Sequence, residues 1–538
     1  METYDFVVVG GGPGGCVVSS RLTEDPGVSV VLIEAGPDRR GFMGDCTIAG
    51  AAILTPRKTE SNWAFSSTPQ AGLGGRRDFH PLGRGLGGGS AINTLNYVRG
   101  HRQDYDNWAW LGNSGWGYDD VLPYFKKSEN NQTHKDDFHG TDGPMWVEEV
   151  RTDNPYHDIV KQACAEAGWK ANPDFNGAEQ EGYSSAQVMI KTGERFGTGK
   201  AYIHPYLDTR KNLTLLTETE CIRIVFEGKK AIGVEVLNNG SKRIIKARKE
   251  VIVAGGGILS AKLLQLSGVG ASSELERVGI PLVHELKGVG ENLLDHVDCI
   301  MGYHIPGDPN LLGISPTGGI AMLKAIRQWR KDRRGMLTTP GAEITGFMNL
   351  TPESPMPEIQ YYFVIVLAFD HGQDMFMKHG MSAHSVLLHP KSRGTVKLAS
   401  NNFKDDPLLD FNYLSHPDDL KAITEGCRRI DAVFDTPTMR ARVKKKLVTG
   451  NLRTEEDWVA MVRRQSGTVY HPVGTCKMGV AADPLAVVDA CLKVHGMENL
   501  RIVDSSIMPT ICGGNTMAPT IMIGEKGADM IKQDWRLS

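Results

Sequence analysis

The chain has 538 residues, of which 40% are hydrophobic and 23% charged, and its formal net charge is -3. This composition is typical of a folded globular protein and argues against an intrinsically disordered chain. The small net charge provides no overall field that would attract nucleic acid. Nine cysteines without a Cys-x-x-Cys pair argue against a disulfide framework and against a zinc site, so we expect no bound metal.

The N-terminus leads from Met1 into an apolar strand, without the basic region, apolar run and cleavage site of a secretory signal. No stretch approaches about 18 uninterrupted apolar residues, so no transmembrane segment is predicted. We therefore expect a cytoplasmic protein. The basic runs at 327–335 and 440–447 are interpreted as solvated helix faces, although they leave peripheral membrane contact open.

The N-terminal segment carries the pattern of a dinucleotide-binding unit. An apolar run at 5–9 is followed by the turn GGGPGG, a helical segment and a second apolar run at 28–36. This order is typical of a parallel βαβ unit. Gly10, Gly12 and Gly15 occupy the glycine positions of G-x-G-x-x-G, where they allow a tight turn, the approach of a pyrophosphate and close helix packing.

Glu34 ends the second apolar run, 19 residues after Gly15. A carboxylate at this place can accept hydrogen bonds from both hydroxyls of an adenosine ribose, and it disfavours a 2′-phosphate. The residues thus predict a bound dinucleotide, without deciding between NAD and FAD.

Later regions depart from this pattern. Residues 80–100 are glycine-rich, and we predict a functional loop there because apolar residues interleave with the glycines. Strand-like runs return at 213–254 and feed another helix. Between 303 and 470 extended and helical segments mix, which favours an antiparallel sheet with helices on one side, and hence a second domain.

The stretch GRGLGGGSAINTLNYVRGHRQDYDNW, from Gly83, resembles the first signature of the glucose-methanol-choline (GMC) oxidoreductases, flavoproteins that oxidise alcohols. Its small residues would let the backbone lie against a flat ring. The stretch GGILSAKLLQLSGVG from Gly256 is similar to the second signature of the family. Segments at 62, 288 and 389, and those around His471 and Asn515, extend the resemblance along nearly the whole chain.

The resemblance implies an α/β protein, with a Rossmann-like FAD-binding domain and an inserted antiparallel-sheet (α+β) substrate domain. We place the FAD-binding domain at 1–157, 210–302 and 471–538, and the substrate-binding domain at 158–209 and 303–470. FAD would be held noncovalently, because Ile92 stands where choline-oxidase-like members carry the histidine that tethers the flavin.

The resemblance also implies a set of cofactor contacts. The pyrophosphate would lie on Gly10, Gly11, Gly12, Pro13, Gly14 and Gly15, the adenosine ribose on Glu34 and Ala35, and the adenine by Cys221, Ala254 and Gly255. The flavin and its ribityl chain would be bordered by Gly88, Gly89, Asn93, Thr94, Asp504, Asn515 and Thr516.

His471 and Asn515 match the histidine and asparagine that face the flavin in one branch of the family. Removing hydride from an alcohol carbon is difficult while the oxygen keeps its proton, so a base must take that proton. The resemblance gives this role to neutral His471, and gives Asn515 a hydrogen bond to the developing alkoxide. Pro519 predicts the first turn of a helix, whose positive end would stabilise negative charge on the flavin.

The predicted activity is FAD-dependent oxidation of a primary alcohol to an aldehyde, with electrons passed to a quinone or another acceptor. The alternatives are an alcohol oxidase that uses O2, a non-redox FAD-containing hydroxynitrile lyase, and a flavin-binding protein without activity. The substrate pocket is expected along the segments GAEITGF and QYYFVIV. Glu343 could attract a cationic alcohol such as choline there, but we favour its pairing with an arginine.

Overall fold

The computed structural model describes residues 2–39, 60–150, 152–313, 316–339, 341–369, 374–375 and 378–538. Two seven-stranded sheets organise these residues. In chain order, the strands of the two sheets are β1 (Thr3–Val9), β2 (Val30–Ile33), β3 (Gly182–Ser185), β4 (Leu213–Leu216), β5 (Thr219–Glu227), β6 (Lys230–Asn238), β7 (Ser241–Val253), β8 (Val297–His304), β9 (Ala342–Met348), β10 (Ile359–Val364), β11 (Gly380–Leu387), β12 (Lys445–Lys446), β13 (Ser466–Thr468) and β14 (Leu500–Ile502).

Helices and short strands surround these sheets. The α-helices are α1 (Pro13–Leu22), α2 (Arg102–Trp110), α3 (Tyr118–Ser128), α4 (Tyr156–Glu166), α5 (Gly256–Leu266), α6 (Ser272–Arg277), α7 (Pro316–Asp332), α8 (Pro417–Val433), α9 (Pro437–Arg440), α10 (Glu455–Gln465) and α11 (Met517–Trp535). The short strands outside the two sheets are Phe65–Ser66, Phe79–His80, Glu129–Asn131, Met145–Glu149, Gln187–Val188, Ile190–Lys191, Glu194–Arg195, Val269–Gly270, His284–Glu285, Ala368–Phe369, Asp374–Met375, Thr395–Lys397 and Leu408–Asp410.

The first sheet has a parallel centre. β4, β2, β1, β7 and β14 lie side by side in the same direction, while β5 and β6 extend the sheet as antiparallel strands beside the first half of β7. β2 and the second half of β1 are fully buried runs of apolar residues. Such continuous apolar strands occur where both faces of a sheet are covered.

The second sheet is antiparallel, in the order β12, β8, β11, β10, β9, β3, with β13 paired beside β8. Side chains alternate across it. On β8, Tyr303 donates a hydrogen bond to Asp431 of α8 (2.8 Å), and Cys299 contacts Met461 of α10. Asp298 and Ile300, on either side of Cys299 in β8, line a cavity. Helices therefore cover one face of this sheet, and the other face is left for a ligand.

These two sheets confirm the predicted fold class, an α/β domain joined to an antiparallel-sheet domain. Within the loop predicted at 80–100, the structure forms a short 3-10 helix over Gly88–Ala91. The predicted domain boundary at 302 falls inside β8, which belongs to the second sheet throughout, and the division into domains stays a prediction. None of the helices in the described part of the chain has the length and apolar character of a membrane span. The cysteines in the described ranges are all free thiols.

Glycine lets α1 pack against its neighbours at backbone distance. A Cβ atom on Gly14 would lie 2.0 Å from the carbonyl oxygen of Val503, just beyond β14. A Cβ atom on Gly524 of α11 would lie 2.8 Å from Cβ of Val17. Both distances are too short for real contacts, so α1 keeps its place only with glycine at these positions.

We predict that Gly14→Ala lowers the stability of the protein by about 1–3 kcal/mol, the usual cost of overpacking, because α1 must move away from β14. Differential scanning calorimetry measures the change as a lower melting temperature. Gly319→Ala is the control, since a Cβ atom there meets nothing within 4 Å. Equal melting temperatures for the two variants would contradict the packing argument.

Candidate active site

A cavity of about 440 Å³ lies between the two sheets. Val9, Ile33 and Ala254, at the carboxyl ends of β1, β2 and β7, form one side of its wall. Ile300 and Tyr362, on β8 and β10, form part of the other side. Ligands of α/β sheets bind at the carboxyl ends of parallel strands, so this position fits the predicted dinucleotide.

The glycine turn after β1 opens on this cavity. Four of its residues lie in the wall: Gly10, Gly12, Pro13 and Gly14. Gly11 and Gly15 do not; a Cβ atom on Gly15 would lie 1.9 Å from the carbonyl oxygen of Gly10, so this glycine allows helix packing instead. α1 has no side-chain cap at its N-terminus, which leaves its first N–H groups available to an anion.

Glu34 ends β2 and is nearly inaccessible to solvent. Its carboxylate accepts hydrogen bonds from the backbone N–H groups of Gly11 (2.8 Å), Gly36 (2.8 Å) and Gly85 (2.9 Å). Burial raises the pKa of Glu34, and the three N–H donors oppose that rise. A carboxylate has about four acceptor positions, so one remains for a ribose hydroxyl in the cavity, where Glu34 and Ala35 both lie.

The second glycine-rich stretch lies directly against the first. Gly88 has φ +51°, and a Cβ atom on it would lie 2.8 Å from Cα of Gly12. A Cβ atom on Gly89 would meet nothing within 4 Å, because its backbone opens on the cavity. Ile92, Asn93 and Thr94 continue the wall. The two stretches thus form one continuous surface for a ligand.

The remaining predicted contacts also reach the cavity. Cys221, Ala254, Gly255 and Asp504 all lie in its wall. The Asp504 carboxylate accepts hydrogen bonds from Ser260 Oγ (2.6 Å) and from the Gly256 N–H (2.9 Å). Burial raises the pKa of Asp504. These bonds fix the loop after β14 against the start of α5.

Helix ends supply the positive potential of the cavity. α11 begins beside it, with Thr516 at the N-cap, no side-chain cap, and Thr516, Met517 and Thr520 in the wall. Among the described residues of the wall there is one lysine, Lys262, and no arginine. The ammonium group of Lys262 donates to the carbonyl oxygens of Phe403 (2.7 Å) and Asp405 (2.8 Å). The uncapped N-termini of α1 and α11 therefore provide the main attraction for negative charge.

His471 and Asn515 meet in this cavity. Asn515 Nδ2 lies 3.4 Å from His471 Nε2, and both side chains are buried. Burial lowers the pKa of His471 to about 3, and the neighbouring His80 acts in the same direction. His471 is therefore neutral at physiological pH, as a proton acceptor must be.

Two side chains of β10 fix the amide of Asn515. Its Oδ1 accepts hydrogen bonds from Tyr362 OH (2.9 Å) and Gln360 Nε2 (3.2 Å). With the oxygen engaged, the Nδ2–H groups are directed towards His471. A hydroxyl group between them could receive a hydrogen bond from Asn515 and give its proton to His471.

Asp295 holds the backbone of the catalytic segment. Its Oδ1 accepts the His471 N–H (2.8 Å), and its Oδ2 accepts Tyr413 OH (2.6 Å) and Thr468 Oγ1 (2.5 Å). These bonds stabilise Tyr470 at φ +73°, a left-handed conformation that a non-glycine residue rarely adopts. Burial raises the pKa of Asp295 to about 7 despite the three donors, and the nearby Asp78 adds to the rise.

The structure corrects the expectation for Glu343. This buried carboxylate lies 2.7 Å from His157 Nε2, so its partner is a histidine and not an arginine. Of the two segments expected to line the pocket, Ala342, Tyr362, Val364 and Val366 do so, whereas Glu343 points elsewhere. Glu343 lies at an irregularity of β9, between Ala342, which pairs with Val364, and Ile344, which pairs with Phe363. Its direction therefore does not follow from simple alternation along the strand.

Asp295, His296 and Asp298 were not predicted as residues of the site. His296 and Asp298 flank Val297, the first residue of β8, in the segment LLDHVD. The similarity of this segment to the family was the one sequence feature that could have indicated them. Asp298 Oδ2 accepts from His384 Nδ1 (2.6 Å), and its Oδ1 is buried without a hydrogen-bond partner among the described residues. An uncompensated carboxylate oxygen in a cavity wall indicates a ligand contact.

The cavity wall fits a flavin dinucleotide. Two uncapped helix ends suit a pyrophosphate and an electron-rich ring, and the bare backbone at Gly89 suits a flat ring. Asn96 Oδ1, also in the wall, is buried without a hydrogen-bond partner among the described residues. A ligand with N–H or O–H donors would satisfy it.

We predict that Asp295→Asn gains stability relative to the native protein as pH rises from 5 to 8. Because the folded-state pKa of Asp295 is raised, the stabilisation it provides is complete below about pH 4 and is lost as pH rises through 7. Asparagine can keep the acceptor for the His471 N–H and does not titrate. Melting temperatures at both pH values measure the difference, and a difference that is constant with pH would contradict the prediction.

Comparisons with known proteins agree with this geometry. The chain is 41% identical over 540 residues to an alcohol dehydrogenase (acceptor) of Pseudomonas putida, an alignment that covers 98% of this chain and 95% of the relative. It is 37% identical over 537 residues to the mitochondrial choline dehydrogenase of Homo sapiens, covering 99% and 90%. The crystal structure of pyridoxine 4-oxidase from Mesorbium loti matches with a TM-score of 0.88 and 26% identity, covering 98% and 99%.

Two family models described as GMC oxidoreductase match residues 4–298 and 390–524. These ranges include the glycine turn, Glu34, the second glycine-rich stretch, His471 and Asn515. The chain therefore belongs to the GMC oxidoreductase family.

Proposed function

We propose that this protein binds FAD noncovalently and oxidises a primary alcohol to an aldehyde, with electrons then passed to a quinone or another acceptor. GMC oxidoreductases are FAD-dependent enzymes that act on CH–OH groups. The proposal rests on one observation above all, the neutral His471 and the oriented amide of Asn515 at the same point of the cavity.

FAD, when bound, supplies the acceptor for the hydride that leaves the alcohol carbon. His471 Nε2 takes the hydroxyl proton, and Asn515 Nδ2 donates a hydrogen bond to the oxygen as negative charge develops on it. The alcohol thereby loses a hydride and a proton and becomes an aldehyde. Because Tyr362 and Gln360 already hold the amide of Asn515, little reorganisation is needed during the reaction.

The wall of the second sheet suggests the class of alcohol. Ile300, Val364, Val366 and Val469 make it mainly apolar. Asp298 adds one buried carboxylate, which carries an oxygen without a hydrogen-bond partner among the described residues. We infer a substrate with an apolar body and one cationic or hydrogen-bond-donating group.

The names of the relatives favour a dehydrogenase over an oxidase. Both curated relatives described above are named dehydrogenases, one of them with an unspecified acceptor. An O2-using oxidase remains the alternative within the family. An inactive flavin-binding protein would not need the base and the donor found together here. A hydroxynitrile lyase would also need a base for the hydroxyl proton, but it would leave the flavin oxidised.

We predict that His471→Ala slows anaerobic flavin reduction by roughly 10² or more, the usual scale for loss of a general base, and that FAD is retained. Asn515→Ala should slow flavin reduction by a smaller factor than His471→Ala does. Stopped-flow spectroscopy of the holoenzyme mixed with choline, alkanols or benzyl alcohol follows the bleaching of the flavin.

His495→Ala is the control, because that histidine donates to the Gly479 carbonyl oxygen and does not lie in the cavity wall. Its reduction rate should equal that of the native protein. Native protein that stays yellow with every alcohol would favour the lyase or the inactive binder. Unchanged bleaching in His471→Ala would remove the histidine from the mechanism.

A second prediction concerns Asp298. Asp298→Asn should lower kcat/KM for choline about tenfold or more, while kcat/KM for its uncharged isostere 3,3-dimethylbutan-1-ol changes less than about threefold. The reason is that asparagine keeps the shape but loses the charge. Steady-state kinetics with both alcohols measures the ratio.

Glu343→Gln provides the matched control for Asp298→Asn. It also neutralises a buried carboxylate, but one that does not lie in the cavity wall. The ratio of the two kcat/KM values should stay as in the native protein. A proportional loss for both alcohols in Asp298→Asn would show that the carboxylate is structural.

A further inference from the structure

The Leu388 carbonyl group, His296 and His471, the proposed base, form a row of hydrogen-bonded groups in the protein interior. His296 Nε2 lies 2.9 Å from the Leu388 carbonyl oxygen, and His296 Nδ1 lies 2.9 Å from His471 Nδ1. The two imidazole planes are nearly perpendicular, at 85°. His296 has no solvent-accessible surface, so no bulk water reaches either of its nitrogens.

The Leu388 carbonyl oxygen determines which ring nitrogens of the two histidines carry hydrogen. It can only accept, so His296 Nε2 must carry a hydrogen. In a neutral ring Nδ1 then has a lone pair, and the hydrogen between the two histidines must come from His471 Nδ1. A neutral His471 with a hydrogen on Nδ1 presents a lone pair at Nε2, the atom that lies next to Asn515.

Burial, assisted by neighbouring histidines, lowers the pKa of both rings and keeps them neutral. Burial lowers the pKa of His296 well below its ordinary range, and His471 and His389 act in the same direction. His389 Nε2 lies 2.8 Å from Asp104 Oδ1, so that carboxylate is engaged with another partner. Asp295 is directed to the His471 backbone N–H and not to either ring.

We propose that His296 is a positioning residue: it holds neutral His471 in the tautomer with hydrogen on Nδ1 and a lone pair on Nε2. In the other tautomer, Nε2 would carry a hydrogen and could not accept the proton of an alcohol. The hydrogen bond of one imidazole nitrogen sets the state of the other, which gives His296 control over the base without contact with the substrate. The catalytic consequence rests on the proposed function; the tautomer itself does not.

The direct test is NMR spectroscopy of the FAD-loaded protein labelled with 15N-histidine. Long-range 1H–15N correlations distinguish protonated from unprotonated ring nitrogens, and the spectrum of His471→Gln identifies the signals of His471. We expect a protonated Nδ1 and an unprotonated Nε2. A protonated Nε2 on His471 in the native protein would overturn the proposal, without recourse to any His296 variant.

Two variants of His296 with side chains of similar shape test whether this residue sets the tautomer of His471. His296→Asn keeps an acceptor at the δ position, whereas His296→Leu removes it. We expect the leucine variant to lose the single tautomer in the NMR spectrum and to reduce flavin about tenfold more slowly with KM unchanged, the scale of one hydrogen bond. The asparagine variant should recover to within about threefold of the native rate, and flavin absorbance confirms that both variants are loaded.

The outcomes separate this proposal from the proposed function. A native Nδ1–H tautomer that persists in His296→Leu would show that His296 does not set it. Loss of the tautomer in His296→Leu supports the positioning role even if His471→Gln leaves flavin reduction unchanged. In that case His296 still positions His471, but His471 is not the base.

Discussion

The active site depends on a short strand pairing between two distant parts of the chain. β13 pairs with the start of β8, with Thr468 opposite Val297, and the Val469 N–H donates to the His296 carbonyl oxygen (3.3 Å). This pairing brings Asp295 and His296 next to His471, although they are about 175 residues away in sequence. Asp295 then accepts a hydrogen bond from the backbone of His471, the proposed base, and His296 contacts its ring. A few backbone hydrogen bonds between β8 and β13 therefore organise the surroundings of His471.

The positive potential in the cavity also comes mainly from the backbone. In the part of its wall that the structure describes, the one lysine, Lys262, donates to backbone carbonyl groups, and no arginine is present. Uncapped helix N-termini take the place of basic side chains, and glycines let the ligand approach the backbone that carries these dipoles. The cavity thus attracts an anionic cofactor while the neutral base beside it stays unprotonated.

Local sequence patterns identified many residues that line the cavity. The glycine turn, Glu34 and the second glycine-rich stretch are contiguous in sequence, and the structure places them together in one wall. The residues that hold His471 and Asn515 could not be found in this way, because strand pairing and alternation across the second sheet determine them. Glu343 illustrates the limit: Ala342 lines the cavity, whereas Glu343, the next residue of β9, lies beside His157.

Glu34 combines the predicted ribose contact with structural support. The same carboxylate that faces the cavity ties together the turn at Gly11, the end of β2 at Gly36 and the loop at Gly85. An exchange for a small or basic residue, as acceptance of a phosphorylated ribose would require, would leave three buried N–H groups unsatisfied at once. Evolution therefore cannot switch nucleotide preference here by a single replacement, because the scaffold itself would have to be rebuilt around the new side chain.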